Sequence, residues 1–187
     1  NPSSMEPFLF NDSVKKIINL SGFIPSHKIE KKSAITCLES NFMVTYNIIR
    51  LAKKYKIKKY LGIGSVASTN NNSLYGLSKY ISEFFTLENG YSVISSPNIF
   101  GSKNGVLDKW YHNMLNNQPL RITDPDCIRY FVDLSSIINM VDCCNFKNEI
   151  YHPKSVLSLR LGTFLEAFSE VFDYYKIEYG KLGKQEI

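Results

Sequence analysis

The chain has 187 residues, of which 44% are hydrophobic and 21% charged, and it carries a formal net charge of +5. This is the composition of a globular protein of ordinary domain size, and it excludes a wholly disordered or collagen-like chain. The longest apolar runs, such as residues 60–64, are far shorter than the ~20 residues that a membrane-spanning helix needs, so no membrane association is expected.

Cysteine and histidine spacing predicts neither disulfides nor a metal site. The cysteines, at positions 37, 127, 143 and 144, have no Cys-x-x-Cys pattern, and the three histidines stand far apart. We therefore expect reduced thiols in a cytoplasmic protein. A basic run at residues 53–59 is explained by a helix C-terminus, where cations are favoured. One run without aromatic stacking partners is a weak footprint for nucleic acid, so none is expected as a partner.

Apolar runs alternate with stretches of helical periodicity along the chain. In the first half they predict strands at 14–20, 60–64 and 91–96, with helices at 40–55 and 75–88. In the second half they predict helices near 106–116 and 135–144, short strands near 120–122 and 129–133, and a last helix capped by Ser158. Strands separated by helices predict βαβ units, and hence an α/β fold with a mainly parallel sheet.

Ser65, Tyr75 and Lys79 have the clearest chemical pattern. Tyr75 and Lys79 are four residues apart, so on a helix they share one face. A nearby ammonium lowers the pKa of a phenol, ordinarily near ~10, toward the range of a base at neutral pH. Ser65 follows a predicted strand, at the sheet edge where open α/β folds bind ligands, and its hydroxyl can contact the same substrate oxygen.

Several stretches of this sequence together resemble one known family. They include Leu61-Gly-Ile-Gly-Ser65, Leu74-Tyr75-Gly-Leu-Ser-Lys79-Tyr-Ile-Ser-Glu83, the strand and turn at 17–22, Asn41-x-x-x-Thr45-x-Asn47, the loop at 96–101, Arg129-x-Phe-Val and the stretch at 150–159. In this order, over about residues 12–179, they resemble the extended short-chain dehydrogenases/reductases, the NAD-dependent epimerase/dehydratase group. The Ser65-to-Tyr75 spacing is most similar to that of capsular-polysaccharide reductases and epimerases acting on UDP-amino sugars.

The resemblance implies NAD or NADP as cofactor, a nucleotide sugar as substrate, and a homodimer. It makes Tyr75 the acid/base, Lys79 the group that lowers its pKa and bonds the nicotinamide ribose, and Ser65 the group that orients the substrate. Ser68 is the alternative for that last role if the loop aligns differently. The other implied residues are Leu20, Ser21, Gly22, Pro97, Asn98 and Ile99 for the cofactor, and Asn98 and Arg129, with Ser65, for the substrate. The helices starting near Asn41 and Tyr75 are implied as the dimer contact, with Phe42, Tyr46, Ile49, Ile81, Phe84 and Phe85 as apolar surface.

The glycine-rich turn of that family, Gly-x-x-Gly-x-x-Gly, has no counterpart in residues 1–16. The sequence therefore predicts a partial Rossmann-like, doubly wound parallel sheet without its first strands over residues 12–101, after an irregular segment 1–11. A small α+β substrate region is expected over 102–187, with elements interleaved with the sheet. We expect strand 17–20 to present an unpaired edge, and this chain alone to bind dinucleotide weakly.

Two functions of different classes remain open. The first is an NAD(P)-dependent nucleotide-sugar epimerase, dehydratase or reductase with Tyr75, Lys79 and Ser65 in the site. The second is a non-catalytic remnant of the family, a scaffold that binds sugar nucleotides or dimerises without holding dinucleotide. The Ser65–Tyr75–Lys79 set favours the first, and the missing glycine-rich turn favours the second.

Overall fold

The structure, a computed structural model, describes residues 14–24, 31–69 and 73–180. The chain divides into two compact units. The first combines the residues up to Ser96 with Ile137–Pro153, and the second combines Pro97–Ser136 with the residues from Lys154 onward. The first unit is therefore discontinuous in sequence. The segment 1–11, expected to be irregular, lies outside the described residues.

Helices and strands alternate through most of the chain, as predicted. The first half contains β1 (Lys16–Asn19), α1 (Lys31–Leu38), α2 (Val44–Lys54), β2 (Lys59–Ser65), α3 (Leu74–Glu88) and β3 (Ser92–Ser96). A π-helical turn, Glu39–Met43, joins α1 to α2, and a 3₁₀ turn, Val66–Thr69, follows β2. The second half contains β4 (Asn98–Ile99), α4 (Val106–Leu115), β5 (Leu120–Ile122), β6 (Ile128–Val132), α5 (Leu134–Cys143), β7 (Ile150–Tyr151), β8 (Leu157–Arg160), α6 (Leu161–Phe172) and β9 (Ile177–Tyr179).

A four-stranded sheet in the order β1-β2-β3-β7 organises the first unit. All three strand pairs are parallel, with Ser65 beside Ser96 and Ile94 beside Tyr151. This confirms the predicted α/β fold and the parallel pairing of the first three strands. Because the strands are parallel, the carboxyl ends of β1, β2 and β3 meet at one edge of the sheet. Among the described residues β1 pairs with β2 alone.

The core of the first unit lies between α2 and the sheet. Its buried members are Ile48, Ile49, Ala52, Ile57, Tyr60 and Tyr91. The three from α2 are one helical turn apart or adjacent, so they form the apolar face of an amphipathic helix. Ile49 was expected at a dimer surface, but it is 1% exposed and belongs to this core. The basic run begins in the last turn of α2, where helix-end preference predicts it.

The second unit mixes parallel and antiparallel pairing. In the sheet β4-β6-β8, β4 runs parallel to β6 and β6 antiparallel to β8, while β5 and β9 form a separate parallel pair. Trp110, Leu120, Ile122, Leu165 and Phe168 form its core. These features agree with the α+β region expected from the sequence.

Two helix boundaries differ from the sequence prediction. The helical stretch that contains Asn41 begins at Lys31 rather than near residue 40, because α1 and the π-helical turn extend it toward the N-terminus. Ser158 does not cap the last helix; it lies in β8, and Arg160 precedes that helix. Pairing of β8 with β6 keeps Ser158 extended beside Tyr130, so tertiary pairing overrides the capping preference of a serine. In the described part of the chain, no helix is long and apolar enough to span a bilayer.

Candidate active site

Ser65 is the last residue of β2 and lies at the carboxyl edge of the sheet. Its Oγ accepts a hydrogen bond from the Ala67 amide at 3.2 Å. Its side chain also interacts with the phenol of Tyr75 and lowers the pKa of that group. The alternative residue, Ser68, donates its hydroxyl proton to Oε2 of Glu83 at 2.8 Å. Of the two serines, Ser65 is therefore the one that meets the phenol.

Helix α3 carries the other two residues of the predicted set. Ser73 caps its N-terminus, and the Ser73 Oγ accepts a hydrogen bond from the Gly76 amide at 3.0 Å. With the helix start fixed there, Tyr75, Lys79 and Glu83 follow at intervals of about one turn and lie on one face. This face is turned toward the sheet, because Lys79 and Glu83 both hydrogen-bond to backbone groups of β2.

Lys79 is 7% exposed and ties α3 to the first two strands. Its Nζ donates to the carbonyl of Ser21, just after β1, and to that of Ile63 in β2, each at 3.3 Å. Within the described residues these two carbonyls engage two of the three N–H donors of the ammonium. Burial lowers the pKa of Lys79, and attraction to the Glu83 charge opposes that effect.

The pKa of Tyr75 is raised above its ordinary value. Burial is the main cause, a hydrogen bond with Ser65 lowers the pKa in part, and the charges of Cys37 and Glu83 raise it further. The sequence predicted that Lys79 lowers the pKa of Tyr75, and this effect is not found. The ammonium lies against backbone carbonyls instead. In this structure the phenol holds its proton at neutral pH.

Glu83 is a buried carboxyl group of the same face to which the sequence analysis gave no role. It is 6% exposed, and it accepts hydrogen bonds from the Ser65 amide and the Ser68 hydroxyl, each at 2.8 Å. Burial raises its pKa, while these two hydrogen bonds and the charges of Lys79 and His152 lower it. Its spacing, one turn beyond Lys79 on the same face, is the signal that could have identified it.

Asn19, the last residue of β1, organises the turn that follows. Its Oδ1 accepts from the Ser21 amide at 3.0 Å and from the Ser21 hydroxyl at 2.6 Å. Its Nδ2 donates to Oη of Tyr60 at 2.9 Å and to Oγ1 of Thr45 at 3.1 Å. The buried amide therefore links the core of the unit to the turn that the sequence assigns to cofactor binding.

The three residues of that turn with a predicted role lie at the carboxyl edge of the sheet, beside Lys79. Leu20 is 74% exposed, and Ser21 supplies the carbonyl that accepts from Lys79. A Cβ added at Gly22 would lie only 3.1 Å from Nζ of Lys79. The absence of a side chain at Gly22 thus leaves space next to the ammonium.

Asn41 fastens the chain just after this turn to the helices. It is 1% exposed and sits in the π-helical turn, a local geometry frequent at functional sites. Its Oδ1 accepts from the Phe23 amide at 2.8 Å, and its Nδ2 donates to the Phe23 carbonyl at 3.0 Å and to Oγ of Ser78 at 2.9 Å. The side-chain amide thus pairs with both backbone groups of Phe23, as a neighbouring strand would.

Pro97, Asn98, Ile99 and Arg129 belong to the second unit. Asn98 begins β4, and its Nδ2 donates to the carbonyl of Tyr130 in β6 at 3.0 Å. Arg129 is an exposed residue of β6. Their roles toward cofactor and substrate stay predictions. Across residues 14–24, 31–69 and 73–180, no group of three or more His, Cys, Asp or Glu side chains is arranged to hold a metal ion.

A parallel Rossmann-type sheet, with a strand-end serine beside a Tyr-x-x-x-Lys helix, defines the class of the extended short-chain dehydrogenases/reductases. A family model described as "Polysaccharide biosynthesis protein" matches residues 5–167. Because that match covers most of the chain, the protein belongs to this family.

Curated relatives agree with the family. The chain is 29% identical over 174 residues to a protein of Methanocaldococcus jannaschii named "Putative UDP-glucose 4-epimerase", covering 77% of this chain and 54% of that protein. It is 21% identical over 111 residues to the capsular polysaccharide biosynthesis protein CapD of Staphylococcus aureus, covering 56% of this chain and 18% of that protein. The chain thus spans about half the length of the first relative and less of the second.

Solved structures share the fold. The UDP-glucose 4-epimerase of Thermotoga maritima, determined with UDP-glucose, has a TM-score of 0.84 at 15% identity, over all of this chain and 71% of that one. The dTDP-glucose 4,6-dehydratase of Streptomyces venezuelae, determined with NAD bound, has a TM-score of 0.84 at 15% identity, over 98% of this chain and 65% of that one. At these identities the likeness is one of fold.

Proposed function

We propose that this chain carries the acid/base residues of an NAD(P)-dependent enzyme that acts on nucleotide sugars as an epimerase, dehydratase or reductase. The observation that carries the proposal is the meeting of Ser65 and Tyr75 at the sheet edge, with Lys79 reaching the turn after β1. The polysaccharide biosynthesis family and the fold shared with nucleotide-sugar enzymes support the substrate class.

Oη of Tyr75 is the atom that exchanges a proton with the substrate in this proposal. Because burial raises its pKa, the phenol holds its proton in the free chain and can give it to an alkoxide that forms when a carbonyl is reduced. To take a proton from a sugar hydroxyl, the phenol must first ionise, and a positive charge nearby favours that ionisation. The family resemblance assigns that charge to Lys79, one turn along the same helix, although Lys79 does not shift the pKa of the phenol in the free chain.

Ser65 orients the substrate oxygen toward the phenol. It sits at the strand end and already hydrogen-bonds with Tyr75, so both side chains can contact one substrate oxygen. A second hydrogen bond to that oxygen stabilises the charge that develops there, because the donor is held in place before the reaction.

The residues around the turn after β1 fit a dinucleotide. Lys79 has a third N–H donor beyond the two that the carbonyls engage, and Gly22 leaves space beside it. Leu20 and Ser21 form the rest of this edge. Bound there, the dinucleotide supplies the acceptor and donor of the hydride. Lys79 would hold its ribose hydroxyls.

Residues of the second unit are assigned by the family resemblance. Pro97, Asn98 and Ile99 are proposed for the nicotinamide end of the cofactor, and Asn98 and Arg129 for the substrate.

Because the cysteines of the described chain, Cys37, Cys127, Cys143 and Cys144, are all free thiols, we propose a cytoplasmic location. No observation on the described residues favours the non-catalytic scaffold, so we do not adopt that alternative.

We also propose that the enzyme is a homodimer. Helix α3 exposes a row of large apolar side chains on the side away from the sheet: Leu77 is 39%, Tyr80 47% and Phe84 53% exposed. Tyr80 and Phe84 are stacked on each other, with ring centroids 6.4 Å apart. Such a row on a helix surface is suited to packing against a second copy.

The test of the proposed function is a comparison of two tyrosine variants. The full-length protein is incubated with NAD and either UDP-glucose or UDP-N-acetylglucosamine, and sugar-nucleotide products are separated by ion-exchange chromatography. We expect turnover by the natural protein and a loss of about 10²–10⁴-fold in Tyr75→Phe, which removes the acid/base oxygen alone. Tyr111→Phe, an exposed tyrosine of α4, is the matched control. Equal turnover in the two variants would contradict the proposal.

A further inference from the structure

The carboxylate of Glu83 joins α3 to the end of β2, where Ser65 lies, and to the 3₁₀ turn that follows it. Its Oε1 accepts from the Ser65 amide and its Oε2 from the Ser68 hydroxyl, each at 2.8 Å. One oxygen is thus engaged by the last residue of β2 and the other by the 3₁₀ turn that follows, although Glu83 lies on α3. The two hydrogen bonds hold this turn at a fixed place relative to the helix face that presents Tyr75.

Gly64 makes room for this carboxylate. A Cβ added at Gly64 would overlap Oε1 of Glu83 and lie 2.7 Å from its Cδ, closer than real Cβ contacts come. Gly62, two residues earlier in the same strand, is different: a Cβ there would lie 3.6 Å from a ring carbon of Tyr60, which is ordinary contact. A side chain at Gly64 would therefore displace the Glu83 carboxylate from its two hydrogen bonds, whereas position 62 tolerates a side chain.

Stability alone does not account for an ionisable group here. Burial raises the pKa of Glu83 in spite of its hydrogen bonds and of the charges of Lys79 and His152. A carboxyl group whose pKa is raised by folding makes its charged form less favourable in the folded state, so ionisation at this place opposes folding. Stability therefore does not explain why the group at this place ionises.

We propose, resting on the proposed function, that Glu83 is a positioning residue of the active site. Its carboxylate holds the end of β2, where Ser65 lies, and the turn that follows it in place beside Tyr75. Gly64 is a glycine because the carboxylate occupies the place of its side chain. Glu83 does not touch the substrate; it acts through Ser65, and through its charge on the ionisable groups around it.

The charge of Glu83 has consequences that a neutral support would not have. It raises the pKa of Tyr75 and of Lys79, both on its own helix. The other titratable groups that interact with this set are Cys37 of α1 and His152 after β7. Replacing the charge with a neutral amide therefore lowers the pKa of the phenol, and the limb of the pH–rate profile that reports the phenol moves to lower pH.

Five variants of the full-length protein test the kinetic role, with NAD and the sugar nucleotide that the natural protein turns over. In Glu83→Gln we expect kcat to fall about tenfold with little change in the KM for NAD. We also expect the limb of the pH–rate profile that reports the phenol to move to lower pH. In Gly64→Ala we expect about a hundredfold loss of kcat, while Gly62→Ala stays near the natural protein. Gly64→Ala adds nothing to Glu83→Ala in the double variant. Equal losses in the two glycine variants, or an unmoved profile in Glu83→Gln, would overturn the proposal.

A measurement without turnover separates this proposal from the proposed function. In protein labelled with ¹⁵N-serine, the Ser65 amide signal is assigned by its loss in Ser65→Ala. We expect its proton shift to follow the titration of Glu83, and to stop doing so in Glu83→Gln. If the proton shift of the Ser65 amide does not change as Glu83 titrates, the positioning contact is overturned, whatever the activity of the enzyme. If instead the amide responds and Tyr75→Phe leaves turnover intact, it is the proposed function that fails, and the role of Glu83 in that site falls with it.

Discussion

The ammonium of Lys79 donates to the carbonyl oxygen of Ser21 across 3.3 Å, although the two residues are 58 positions apart in the sequence. This contact fixes the turn after β1 to the helix that carries Tyr75. The cofactor edge and the acid/base residue are therefore held by one side chain, and changes at Lys79 should affect both.

Replacing Lys79 with methionine tests that double role. The Ser21 and Ile63 carbonyls lose their side-chain donor, so we expect the free energy of unfolding in urea to fall by about 1–3 kcal/mol. Because the ribose contact and the positive charge near Tyr75 are lost as well, we expect turnover to fall about a hundredfold or more. Lys79→Arg keeps the charge and serves as control. Turnover of Lys79→Met within tenfold of the natural protein would count against the assignment.

The pH dependence of stability should reveal the buried carboxyl group. Folding raises the pKa of Glu83 above its ordinary value of 4.5. Between that value and the raised pKa, the unfolded chain has lost the proton and the folded chain has kept it, so this group makes stability fall as pH rises. We expect the free energy of unfolding to decrease through this window more steeply in the natural protein than in Glu83→Gln, measured by urea titration at successive pH values. Parallel curves for the two proteins would refute the expectation.

The side chains of Asn19 and Tyr60 differ in the number of hydrogen bonds that are lost when each is truncated. Asn19→Ala removes the acceptor of the Ser21 amide and hydroxyl and the donor to Tyr60 and Thr45. Since an unsatisfied buried polar group costs about 1–3 kcal/mol, we expect a loss of at least about 3 kcal/mol of unfolding free energy. Tyr60→Phe deletes a single hydroxyl, for which we expect about 1 kcal/mol. Chemical denaturation of both variants decides whether the predicted order holds.

The dimer proposal is tested on the exposed face of α3. Phe84→Glu places a charge in the apolar row without disturbing the core, because that side chain is 53% exposed. We expect sedimentation equilibrium at micromolar concentration to give a dimer for the natural protein and a monomer for this variant. Glu88→Gln, at the end of the same helix, should remain dimeric. A natural protein that sediments as a monomer would rule out this interface.

The sequence was most informative where a pattern is local. Apolar runs and helical periodicity placed β2, α3 and β3 to within a residue or two, because burial of one face fixes both the strand and the helix pattern. The four-residue spacing of Tyr75 and Lys79 likewise predicted that they share a face. Ser65 was predicted from its position at the end of a strand, and its side chain is among the groups that shift the pKa of Tyr75.

The remaining features depend on contacts between distant segments. Lys79 was expected to lower the pKa of Tyr75, but its partners are two carbonyls that no sequence pattern specifies. Glu83 looked like one more charged helix residue, and only the close approach of Gly64 explains why it is buried. Ser158 has the composition of a helix cap, yet strand pairing with β6 decides its conformation.

Strand β7 completes the parallel sheet next to β3, with Val93 beside Ile150, and the whole of Pro97–Ser136 lies between them in the chain. On the ribosome, the sheet can reach three strands early, but β3 has no neighbour on that side until residue 150 has emerged from the exit tunnel. Bringing such distant segments together is slow compared with local pairing. For that interval β3 presents an open edge, so we expect nascent chains in which residue 96 has emerged from the tunnel and residue 150 has not to be the forms that chaperones bind and proteases cut.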